Sequence, residues 1–172
     1  MASKHATVDA DLLHRQAQIA ALAGMVAGSD LEEIFVAISP THVPGRFTPD
    51  VALLELAADA LALAVPDPSE PLEFEGLAQR YLPETSFGGK TELRSIQYAL
   101  YAPAIMRGGV QPDLLNGAGW WHTPLWIYAT HALVIYLRAA AERQKTTAAA
   151  IALQISTARG LDLKPEEASP DQ

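Results

Sequence analysis

Five histidines, His5, His14, His42, His122 and His131, stand in a chain without a single cysteine. Disulfides, thiolate metal ligands, iron–sulfur clusters and cysteine nucleophiles are thereby excluded, and a transition metal could bind only through His, Asp or Glu. None of the histidines falls in a His-Glu-x-x-His or His-x-x-x-His pair, so no metal and no cofactor is expected. His131 lies between Ile127 and Ile135 at helical spacing and reads as a hydrogen-bonded core histidine. His122, ahead of a helix and beside Trp120 and Trp121, is the better candidate for a working imidazole, because histidine titrates near neutral pH.

Glu55 and Asp59 stand at i and i+4, so one helix face carries both carboxylates. Such a pair can share a proton or a divalent ion, but no Glu-x-x-His accompanies it as in di-iron bundles. A solvated polar stripe on an otherwise buried helix is the expectation. Ser86-Phe87-Gly88-Gly89-Lys90-Thr91 has the ending of a phosphate loop, yet Glu84 occupies the position of the required first glycine and Pro83 stands where a strand would end. A Walker loop is rejected; backbone N–H groups and Lys90 at a helix start remain able to hold an anion. No Gly-x-Ser-x-Gly elbow occurs.

Three loops collect the versatile side chains: His42 to Phe47, Glu84 to Lys90, and Arg107 to His122. Their candidate binding residues are His42, Arg46, Lys90, Arg107, Trp120, Trp121 and His122, with Trp126 just inside the next helix. Loops on a rigid helical scaffold are where binding and catalysis concentrate, and indoles supply apolar area with one polar handle. If the loops converge at one end of a bundle, they form a basic, aromatic-lined pocket.

The elements that must position these residues are helices. Apolar spacing is helical throughout, and start and stop signals divide the chain. Asp9 to Ala27 ends on Gly28; Asp30 with Glu33 forms a capping box for a second helix through Ile38, and the alternative of a short strand at Ile34 to Ile38 has no obvious partner strand. Thr48-Pro49 predicts a helix start, with threonine as cap and proline in the first turn, running to Val65. Phe74 to Pro83 and Thr91 to Met106 follow, the latter kinked at Pro103. Pro124 to Arg143 is the central helix, and Thr146 or Thr147 starts the last, which stops at Gly160. The expected fold is all-α: a compact bundle of about six or seven helices around residues 124–143, one domain over 1–164 and a polar, disordered tail over 165–172.

Composition bounds the function. Twelve basic against twenty acidic residues give a net charge of −8 with no Lys/Arg block, which argues against nucleic acid as a partner. The uncharged stretch Leu114 to Leu137 is broken by Gly117, Gly119 and Pro124. From Pro124 only about 14 residues precede Arg138, roughly 21 Å of helix against the ~30 Å of a bilayer core. No membrane span and a cytoplasmic location are expected. With 49% hydrophobic and only 19% charged residues, the surface is charge-poor, so self-association or a protein partner is expected, with a small apolar or anionic ligand as the other choice. The preferred reading is a non-catalytic binding or assembly module using an apolar, aromatic-rich surface or pocket. The alternative is a small enzyme with a loop-built site around His122, His42 and Arg46.

Overall fold

A computed structural model describes residues 9–84, 90–108 and 125–163, with the backbone alone for Glu75 and for residues 90–93. Among these it contains seven α-helices, one 3-10 turn and no strand, as the spacing predicted. Helix α1 spans Ala10–Ala27 and opens on Asp9, whose side chain accepts the Leu12 N–H at 3.1 Å. It closes where Gly28 takes the left-handed φ of 73°, letting the Ser29 N–H reach the Gly24 carbonyl at 2.9 Å. Helix α2, Leu31–Ile38, starts on the predicted capping box: Glu33 N–H donates to Asp30 at 2.9 Å and Asp30 N–H to Glu33 at 3.2 Å.

After the 3-10 turn Ser39–Thr41, the chain folds back on itself. Val43 and Phe47 exchange two backbone hydrogen bonds of 2.9 Å around Gly45, whose φ of +73° a side chain would disfavour. Helix α3 is Asp50–Ala64, beginning one residue later than the Thr48-Pro49 signal implied. Pro49, whose side chain has no acceptor, stands at its cap position, and the Thr48 hydroxyl hydrogen-bonds the Asp50 carboxylate. Helices α4, Phe74–Tyr81, and α5, Lys90–Arg107, follow, with Pro103 inside α5. Helix α6 is Leu125–Gln144 and α7 is Ala148–Ala158, capped by Thr147 and closed by Gly160 at φ 65°.

Burial follows from composition. In α6, Leu125, Trp126 and the unbroken run Tyr128 to Leu137 are buried, so this helix is enclosed on almost every side. It packs along α3 more extensively than any other helix pair does, and the two share buried Leu53, Leu54, Leu61, Leu133 and Ile135 in one core. They start at the same end, since Asp50 of α3 meets Trp126 of α6. Helices α1, α5 and α7 cover this pair. No helix among the described residues is long and apolar enough to cross a membrane. The tail 165–172 lies outside the described residues.

Candidate functional site

The starts of α3 and α6 meet the folded-back turn, and that junction gathers the chain's unusual polar groups. Asp50, in the first turn of α3, is largely buried, which pushes its carboxyl above the ordinary carboxylate value of 3.8. The Thr48 hydroxyl, the charge of nearby His42 and the Trp126 backbone N–H each oppose that shift without cancelling it. Asp50 thus caps α6 from another helix, taking one of the N–H groups that no intrahelical carbonyl reaches. Its Oδ1 is buried with no hydrogen-bond partner among the described residues.

The Trp126 side chain seals this junction at only 6% exposure. Its ring stands edge-on to Phe35 at 6.1 Å and tilted to His42 at 6.3 Å. Phe35 in turn meets His131 at 5.4 Å. The His131 Nδ1 lies 2.7 Å from the Ile127 carbonyl oxygen, which can only accept, so Nδ1 carries the proton. That is the core histidine its apolar setting implied. The Trp126 Nε1–H is the second buried polar atom without a partner among the described residues. A buried donor and a buried acceptor left unmade each carry the desolvation cost of that group, so both invite an explanation.

Of the eight residues singled out by sequence, the structure brings His42 and Trp126 together. Arg46 sits in the turn between Val43 and Phe47. Arg107 lies elsewhere: its guanidinium donates to the Val65 carbonyl and, at 2.5 Å, to that of Pro66, tying down the C-terminal end of α3. Helix α3 has 15 residues, roughly 22 Å of length, and Arg107 and the His42–Trp126 pair occupy opposite ends of it. The loop beginning at Arg107 therefore does not start beside the His42 turn. Trp120, Trp121, His122 and the Lys90 side chain lie outside the described residues. Sequence reasoning passed over Asp50 and Phe35. An aspartate in a first turn reads as ordinary helix-dipole compensation, and only the approach of α6 gives it a second role.

Glu55 and Asp59 form a half-exposed polar stripe on the otherwise buried α3, and their carboxylates are paired as well as solvated. Glu55 Oε2 accepts from His14 Nε2 at 2.9 Å, from the buried Gln18 amide at 3.3 Å and from Arg159 Nη1 at 3.5 Å, while Arg159 Nε donates to Asp59. The Arg159 guanidinium is held charged above its already high value, first through its hydrogen bond to Asp59. Sequence spacing found the pair of carboxylates, but their partners come from α1 and from Arg159, the C-cap of α7. Among the described residues, no group of three or more His, Asp or Glu side chains is placed to hold a metal.

No protein-family model matches the chain, and neither a curated protein nor a solved structure is significantly similar to it.

Proposed function

We propose that this chain is a binding module whose ligand site is the junction of the His42 turn with the starts of α3 and α6. One observation carries the reading: a buried acceptor, Asp50 Oδ1, and a buried donor, Trp126 Nε1–H, both unpartnered among the described residues, in a setting of aromatic rings. A ligand offering one N–H or O–H donor and one acceptor on an apolar body would complete both groups. The carboxylate disfavours an anion here, so of the two ligand types the sequence admitted, the apolar one is favoured. His42, near both Asp50 and the indole, would lie against such a ligand. The enzyme reading around His42, Arg46 and His122 draws support only from the charge of Asp50 near His42.

The test is a nuclear magnetic resonance titration of the indole N–H signals, assigned with Trp126→Phe, using butyramide, butylamine and butyrate as probes. The amide, which carries both a donor and an acceptor, should shift the Trp126 signal; the ammonium, a donor only, should bind through Asp50, and butyrate should not bind. Asp50→Asn should weaken the amine at least about tenfold, the loss of one charge-assisted hydrogen bond, while the fold stays intact. If no probe moves the signal, and the indole N–H exchanges as expected for a site holding a bridging water alone, the reading fails.

A further inference from the structure

Away from that junction, the seam where α1, α3 and α7 meet holds a histidine in a defined tautomer. His14 Nε2 lies 2.9 Å from Glu55 Oε2, a carboxylate oxygen that can only accept, so Nε2 carries the proton and the lone pair of the neutral ring is on Nδ1. The Gln18 amide nitrogen, 3.3 Å from the same Nε2, cannot accept and already donates to Ala52 O at 3.1 Å and to Glu55 Oε2 at 3.3 Å. Glu55 Oε2 also accepts from Arg159 Nη1, so the carboxylate that orients the imidazole is itself fixed. His14 Nδ1 has no partner among the described residues, and the side chain, 31% exposed, lines an open cleft of about 840 Å³ with Asp11, Leu12, Arg15, Gln18 and Arg159.

Arg159 supplies the complementary group. Its Nε and Nη1 are engaged by Asp59 and Glu55, which leaves the Nη2 N–H pair without a partner among the described residues. Imidazole and guanidinium bond the same Glu55 oxygen, at 2.9 and 3.5 Å, so they are neighbours at the cleft wall. A carboxylate-oriented imidazole on a cleft wall, its second nitrogen unpaired among the described residues, can act as a general base, and a fixed cationic donor beside it can stabilise charge developing on oxygen.

We propose that His14, oriented by Glu55, is a general base for hydrolysis of small carboxylic esters in this cleft, with Arg159 facing the carbonyl oxygen. A water gives its proton to His14 Nδ1 as its oxygen bonds the carbonyl carbon. Negative charge then builds on the carbonyl oxygen, against the Arg159 Nη2 donors. Collapse breaks the bond from carbon to the leaving oxygen, which takes the proton back from Nδ1, and acid and alcohol depart with the imidazole neutral again. Nothing in this step depends on the Asp50–Trp126 junction, so the two readings stand or fall separately.

The full chain, incubated with p-nitrophenyl acetate as probe, should release nitrophenol at least about tenfold faster than the same concentration of free imidazole, and His14→Ala should remove that excess. Added imidazole should raise the rate with His14→Ala by more than it raises the rate without protein, which a merely structural histidine would not allow. Should His14→Ala fail to fold by circular dichroism, His14→Gln keeps a donor toward Glu55 and should be equally inactive. A wild-type rate no greater than that of free imidazole overturns the proposal. So does a folded His14 variant that hydrolyses the ester as fast as wild type.

Discussion

Asp50 shows how one side chain can serve the fold while opposing it. Its carboxylate accepts the Trp126 N–H and the Thr48 hydroxyl, yet burial raises the carboxyl above its ordinary value, so the ionised form is disfavoured in the folded state. A group whose folded pKa is raised binds its proton more tightly in the native protein. Its contribution to stability is complete below the unfolded value and is lost as pH rises through the folded one. Asp50→Asn keeps an acceptor for both donors and abolishes the charge. Its melting temperature should therefore exceed that of wild type at neutral pH, with the gap closing as pH falls through the carboxylate range. Thermal melts at a series of pH values check this, and a gap that is constant or widens on acidification would contradict the burial argument. A residue kept at a cost in stability is what a binding site requires.

At the scale of elements, two glycines inside helices make opposite predictions from their surroundings. In α1, a Cβ on Gly24 would lie 2.8 Å from Ile34 Cγ1, an atom of a buried side chain in α2, so this glycine is what lets α1 and α2 approach. Gly24→Ala should gain about 1 kcal/mol of helix propensity and lose about 1–3 kcal/mol to overpacking, a net destabilisation. In α4, a Cβ on Gly76 would meet nothing nearer than Glu73 Oε2 at 3.9 Å. Gly76→Ala should stabilise by about 0.5–1 kcal/mol. Denaturant unfolding of the two variants tests the pair, and a stabilising Gly24→Ala would mean that the α1–α2 contact yields easily. The seam of α1, α3 and α7 illustrates the same scale in polar terms. One oxygen of Glu55 gathers donors from two other helices, binding together elements that meet only in the folded chain.

For the whole molecule, association follows from the balance of apolar surface against charge. Leu12, Val26, Val36, Tyr101 and Leu153 are large apolar side chains exposed on α1, α2, α5 and α7, while a net charge of −8 makes copies repel. At about 0.15 M salt the screening length is about 8 Å, so repulsion is short-ranged and we expect apolar contact to outweigh it. Light scattering at micromolar protein should give at least twice 18.4 kDa, with more association as salt rises. A mass of 18.4 kDa at every salt concentration would leave no role for those side chains in assembly. What the sequence by itself determined is the helical architecture and the ends of its helices, because those signals act within a turn. Asp9, the Asp30–Glu33 box, Thr147 and Gly160 each satisfy backbone groups no more than a few residues away, wherever the helix later packs. The enclosed α6 was legible for a similar reason, since a helix apolar all round must be buried. Thr48 marks the boundary of that logic: its hydroxyl, a cap by local rules, turned to Asp50 once burial left that carboxylate in need of donors. His42, Trp126 and Glu55 could be singled out along the chain, but the pairings that make the candidate sites belong to the tertiary structure alone. Asp50 meets Trp126, and Glu55 meets His14 and Arg159, 41 and 104 residues away in sequence. Which partner a polar side chain finds across such distances is decided by how helices rotate and cross as their apolar faces close, and no spacing along the chain encodes that rotation.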